Sequence, residues 1–250
     1  MPRYKAVISY DGSAFYGFAL QKHKPSVLGA LRAGFSRVGI RSEILGASRT
    51  DKGVHSTGQV ISFESRHFED SHTLQNLLNA KLYPHIAVRR LERVNEDFHP
   101  RFHALWRAYR FLLSSHAPSP FQSAYVSYEK IGDRALFQSA LSMFGGRHNF
   151  ALFKKNGSFT KDSIRDIFRI FSYQHKGLDV VYIKGNGFLR SQVRLMVGAA
   201  LSVSRGELSL ENLQEQIQAK KRHYNFPISP NGLYLCGVGY SKMKNRILKV

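Results

Sequence analysis

Cysteine is nearly missing from this chain: Cys236 is the only one in 250 residues. One thiol cannot build an internal disulfide framework, nor supply a Cys-rich zinc site. A reducing, cytoplasmic setting is the resulting expectation. Long apolar runs are missing too. The longest, Leu195 to Val203, falls far short of the roughly 20 residues that span a bilayer. The opening residues, Met-Pro-Arg-Tyr-Lys, lead straight into a strand-like segment with no signal-peptide stretch behind them. No phosphate-binding glycine loop stands out. Gly185-Asn186-Gly187 lacks the third glycine and the spacing of a dinucleotide site, and reads as a turn. Acids are scarce, with 17 Asp and Glu against 37 Lys and Arg, a formal net charge of +20.

That charge is the first positive signal. It repels itself within one compact body and makes sense when an anionic partner neutralises it. Nucleic acid is the first candidate and an anionic membrane surface the second. A generally basic protein with no polyanion partner is the bland reading. The hydrophobic share of 43%, with 18 Phe and 12 Tyr, is enough for a sizeable core and argues against disorder. The length suits one large domain or two small ones closely fused.

Strand-like and helix-like segments alternate along the chain. Tyr4 to Tyr10 is β-branched and aromatic, and Asp11-Gly12-Ser13 breaks it as a turn. Ser26 can cap a helix in which Val27, Leu31, Phe35 and Val38 recur near helical spacing, closed by Gly39. Ile44 to Ala47 and Gln59 to Glu64 read as strands around a polar loop, Leu74 to Ala80 as a short helix, and Ile86 to Val94 as a strand. A second set follows. Trp106 to Ser114 is an aromatic strand. Arg134 to Phe144 is a helix with Leu136, Ala140, Leu141 and Phe144 on its apolar side. Ile164 to Tyr173 and Leu178 to Lys184 make a hairpin around Gly177. Helices at Leu189 to Ser204 and from Leu210 to about Lys220 precede a last strand, Leu233 to Tyr240. The predicted class is α+β, a mostly antiparallel sheet with helices on one face. The repeated order of elements suggests two related halves, residues 1–104 and 105–250.

Asp51 is the residue to weigh for chemistry. Residues 1 to 60 hold only three acids, Asp11, Glu43 and Asp51. Asp51 lies between Arg49 and Lys52 in a loop joining two strands. An ionised carboxylate there can act as nucleophile or base. Thr50-Asp51-Lys52-Gly53 is also an ordinary turn, with Asp bonding its own backbone and Gly taking positive φ. On local sequence alone the turn is the more economical reading.

A wider pattern bears on that choice. Gly46-Ala47-Ser48-Arg49-Thr50-Asp51-Lys52-Gly53-Val54-His55, followed by Thr57-Gly58-Gln59-Val60, resembles the catalytic loop of the tRNA pseudouridine synthase A family. Tyr10-Asp11-Gly12-Ser13 with Phe15 and Gly17 is similar to that family's first strand and turn. Asn79-Ala80, Ile86-Ala87-Val88, Phe98-His99-Pro100-Arg101-Phe102 and Tyr109-Arg110-Phe111 match in order. So do Phe188-Leu189, Val193-Arg194, Val197-Gly198 and Gly232-Leu233-Tyr234-Leu235. The likeness is colinear over nearly the whole chain. Ser48 stands where the family usually has Gly, Phe18 and Ala19 replace a Trp and a Gln, and Gln192 replaces a Met.

The resemblance implies conversion of uridine to pseudouridine in the tRNA anticodon stem-loop, roughly at tRNA positions 38 to 40. It implies no cofactor, and a homodimer with tRNA across both subunits. Asp51 would be the nucleophile, adding to uracil C6, attacking ribose C1′ or assisting loss of the 2′ proton; the three paths stay open. Arg49 would fill the space a flipped base leaves, or clamp a phosphate. Arg194 would pair with Asp51, or belong to a solvated basic face with Arg190. Tyr109 would stack on uracil and serve removal of the C5 proton, or be a core residue. Leu233 would wall the base pocket, or be plain core. Another pseudouridine target and a non-catalytic RNA binder are the rival readings. His55, His99 and His103 are not assigned to catalysis. Arg101, Arg107, Arg110, Lys154, Lys155, Lys161, Lys242, Lys244, Arg246 and Lys249 are candidates for an RNA cradle. If Arg194 is to reach Asp51, the site must lie between the two halves.

Overall fold

The computed structural model describes residues 1–66, 70–155, 157 and 162–240. Its strands are β1 (Arg3–Tyr10), β2 (Leu45–Gly46), β3 (His55–Glu64), β4 (Ile86–Val94), β5 (Ala104–Ser114), β6 (Ser127–Tyr128), β7 (Gly146–Asn149), β8 (Ile164–His175), β9 (Leu178–Gly185) and β10 (Leu233–Tyr240). The helices are α1 (Val27–Ser36), α2 (Ser71–Leu82), α3 (Arg134–Ser142), α4 (Gln192–Ser204) and α5 (Leu210–Ile217).

Local chemistry explains most boundaries. The Ser26 hydroxyl accepts the Gly29 N–H at 3.2 Å and opens α1. Asp70 does the same for α2, accepting from Thr73 N at 2.8 Å, which starts that helix three residues before the expected Leu74. Lys176 and Gly177 both take positive φ, as a two-residue hairpin turn between β8 and β9 requires. Two expectations need correcting. Leu136 is 38% exposed, while Phe137 is 1% exposed in the core; Phe137, Ala140, Leu141 and Phe144 form the apolar stripe of α3 and the segment after it. β3 starts at His55 rather than Gln59, because Ser56 pairs with Tyr10 and with Leu235, partners that local sequence does not reveal.

The strands form one mixed sheet in the order β4-β1-β3-β10-β5-β9-β8-β7, with β2 beside β3 and β6 beside β5. The pairings are antiparallel except β3–β10 and β5–β6. Residues opposite one another share a face of the sheet. Tyr10, Ser56, Leu235, Tyr109 and Ile183 are opposite in turn and make one row across five strands. At one end of the row Tyr10 packs with Val27, Leu31, Phe35, Leu74 and Leu78 of α1 and α2. At the other, Tyr109, Leu235 and Ile183 pack with Phe137, Leu141, Met196, Ala200 and Leu213 of α3, α4 and α5. All five helices therefore lie on one face. The opposite face carries a small cluster of Ala47, Val60 and Phe98. The helices fall into two groups, and the sheet centre lies between them.

Candidate active site

The loop from Ala47 to Val54 crosses the sheet where the two helix groups part. It is tied to both: the Thr50 hydroxyl meets the Tyr10 phenol at 2.8 Å, and Ser48 Oγ meets the Tyr109 phenol at 3.3 Å. Gln59 grips it from below, donating Nε2–H to Ser48 O at 2.7 Å and accepting Ser48 N–H at 3.2 Å. Two glycines let the first turn pack under it. A Cβ on Gly12 would stand 2.1 Å from the Val54 carbonyl oxygen, and one on Gly17 2.8 Å from that of Thr50. Gly53, at φ 78°, completes the turn, in which Val54 N–H donates to Asp51 O at 3.2 Å.

The turn reading is thus correct for the Asp51 backbone and incomplete for its side chain. The carboxylate bonds no part of its own turn. It faces the first turn of α4, where Ser191 Oγ donates to Oδ2 at 2.8 Å and Arg194 Nη1 stands 3.7 Å from the same oxygen. Oδ1 accepts no hydrogen bond among the described residues. Arg194 is itself aimed, with Nε–H donating to Ile228 O at 2.7 Å. Burial lowers the guanidinium's pKa and the Asp51 charge raises it again.

Tyr109 is buried on the helix-bearing face, edge-on to Phe188 at 5.2 Å between centroids. Burial, with the nearby Asp51 charge adding to it, pushes its phenol up to about 12, so the hydroxyl is neutral near pH 7. Leu233 is 4% exposed, in the same core cluster as Tyr109 and Val54. Arg49 is exposed beside Asp51, with no hydrogen bond or ion pair to the described residues. Asp51, Arg194 and Tyr109 therefore converge, Leu233 lies in the core beneath them, and Arg49 stands free at the rim.

His55 is buried and structural. Its Nδ1 accepts Gly12 N–H at 3.0 Å, which leaves the proton on Nε2 facing Ala124 O at 2.8 Å. Burial lowers its pKa and keeps the ring neutral, stacked on Tyr234. His99 accepts the Arg101 and Phe102 N–H groups. Arg107 does not belong to a free basic surface: it donates to the carbonyls of Ala104, Asn186, Ala47 and Arg101 and clips the loop ends together. Arg110 is exposed on the sheet face opposite Tyr109. Arg101 and Lys155 are exposed and Lys154 half-buried. Lys161, Lys242, Lys244, Arg246 and Lys249 lie outside the described residues. Sequence reasoning missed Ser191, Gln59 and the Tyr10–Thr50 pair. Gln59, an amide among strand apolars, carried a faint signal; Ser191 carried none.

A family model described as tRNA pseudouridine synthase matches residues 6–103 and 140–241, and so covers both the Asp51 loop and α4. The chain belongs to the tRNA pseudouridine synthase family. A tRNA pseudouridine synthase A of Helicobacter hepaticus is 67% identical over 247 residues, 96% of this chain and 100% of that one. Its counterpart in Wolinella succinogenes is 46% identical, over 96% and 95% of the two chains. One from Campylobacter jejuni is 41% identical, over 96% and 100%. A solved Cbf5-Nop10-Gar1 complex matches with a TM-score of 0.35 and 10% identity, over 79% of this chain and 45% of that one, too weak a likeness to carry a conclusion. The protein is an isomerase acting on uridine in tRNA. Among the described residues, no helix is long and apolar enough to cross a membrane.

Proposed function

We propose that this tRNA pseudouridine synthase acts on the anticodon stem-loop, roughly at tRNA positions 38 to 40, with Asp51 as its nucleophile. The supporting observation is the setting of Asp51. Its carboxylate is turned out of its own loop towards Ser191 and Arg194, which arrive from the far end of the chain. In this reading residues 1–104 and 105–250 are two related halves, and the site occupies their seam. The enzyme works as a homodimer with tRNA lying across both subunits.

The reaction breaks the N1–C1′ bond, forms a C5–C1′ bond, releases the C5 proton and leaves a proton on N1. The target uridine is first drawn out of its stack, at a cost of a few kcal/mol. Arg49, free at the rim, fills the vacated space. Tyr109 stacks on the uracil ring, with Leu233 walling the pocket from the core side. A phenol pushed up to about 12 enters as the neutral form, so it passes the C5 proton on through its hydrogen bonds rather than storing it. Arg194 sets its positive charge 3.7 Å from the Asp51 carboxylate.

The test is tRNA carrying tritium at uridine C5. Incubation with the enzyme releases tritium into water at these positions and leaves other uridines labelled; labelled anticodon-stem uridines after exhaustive reaction would rule the site choice out. The net charge of +20 gives a second expectation. With six or more phosphate contacts, tRNA affinity falls by about a thousandfold between 50 and 200 mM salt. A filter-binding series that stays flat across that range removes the phosphate cradle.

A further inference from the structure

Ser191 is an exception among the helix starts. At α1, α2, α3 and α5 the N-cap side chain, from Ser26, Asp70, Asp133 and Ser209, accepts a hydrogen bond from its own helix. Ser191 occupies the same place before α4 and makes no such bond. Its backbone is also left-handed, at φ 59° and ψ 10°, a conformation that costs a non-glycine residue free energy. Neighbours on both sides hold it there. Gln192 N–H donates to Leu189 O at 3.1 Å, Leu195 N–H to Ser191 O at 3.0 Å, and Gln192 Oε1 accepts Leu189 N–H at 2.7 Å. Local stability thus loses twice at Ser191. The hydroxyl, 8% exposed at the residue level, is placed instead on Asp51 Oδ2.

We propose that Ser191 is a positioning residue for the isomerisation: its hydroxyl fixes Oδ2 of Asp51 and so presents Oδ1 as the attacking oxygen. This rests on Asp51 being the nucleophile. Arg194 approaches the same Oδ2 from the first turn of α4, but at 3.7 Å it supplies charge rather than a directed bond. Ser191 supplies the direction. The left-handed backbone is what turns the hydroxyl out of the cap and towards the loop, so strain and contact are one device.

Three variants at this position test it, by single-turnover tritium release, tRNA binding and thermal melting. Ser191→Gly removes the hydroxyl and also relieves the left-handed strain. It is expected to melt no lower than the parent, bind tRNA equally, and react about ten- to a hundredfold more slowly. Ser191→Ala reacts as slowly and melts lower, since Cβ stays in the strained conformation. Ser191→Asn keeps a donor on a residue that tolerates this backbone, and restores most of the rate. A fully active Ser191→Gly overturns the inference. So does a Ser191→Gly rate loss that follows weaker tRNA binding or a lower melting temperature, or an Asn variant as slow as Gly. Asp51→Asn, assayed alongside, separates the two readings. If it turns over, the nucleophile assignment fails and this inference with it. If it is inert while Ser191→Gly is fully active, only the role of Ser191 fails.

Discussion

Asp51→Asn is expected to bind tRNA with near-normal affinity and to release no tritium from uridine C5. The amide has the shape of the carboxylate and can still accept the Ser191 hydroxyl, so the loop from Ala47 to Val54 keeps its anchors at Tyr10, Tyr109 and Gln59. What disappears is the nucleophilic charge, and with it covalent catalysis, a loss of at least about a thousandfold. A second effect goes with it. Arg194, with a side chain 15% exposed, loses the partner that offsets its burial. Asp51 is itself 26% exposed, so water screens part of that loss, which we place at about 1 kcal/mol or a few degrees of melting temperature. An Asp51→Asn enzyme that turns over at a measurable rate removes Asp51 from the nucleophile role.

Arg194→Ala is expected to lower the tritium-release rate by about a hundredfold or more while tRNA affinity changes little. The guanidinium does two jobs at once: Nε holds Ile228 O at 2.7 Å and Nη1 faces Asp51 at 3.7 Å. A lysine has one ammonium and cannot occupy both places, so Arg194→Lys restores only part of the rate. Single-turnover kinetics with separate binding measurements distinguish the outcomes. A defect wholly in affinity, cured by saturating tRNA, would move Arg194 into the RNA-contacting surface.

Much of this architecture is legible in the sequence where neighbours in the chain decide it. β4 and β10 begin and end at the expected residues, and Ser26 caps α1 as its sequence implies. Legibility fails where the partner is remote. The first residues of β3 look like polar loop until Leu235 pairs beside them. Arg107 looks like a phosphate contact, yet four carbonyls from three segments use it as a clip. Leu136 lies one residue off the stripe that Phe137 leads. The site shows the same division. The turn around Asp51 follows from Gly53 and its own residues, whereas the aim of its side chain depends on Ser191, 140 residues later. The helix expected from Leu189 puts Ser191 inside its first turn; α4 starts at Gln192 instead, and the left-handed backbone of Ser191 sends its hydroxyl to Asp51.

The order of strands at the sheet centre also bears on when this enzyme comes into being. β10, the last strand among the described residues, is inserted between β3 and β5, pairing parallel with one and antiparallel with the other. Without it β3 and β5 would each present an unpaired edge, the kind that invites pairing with the wrong partner. Ile228, the carbonyl that aims Arg194, belongs to the segment leading into that strand. A chain that ends before this segment lacks the carbonyl that aims Arg194, so competence for chemistry arrives with the closing of the sheet.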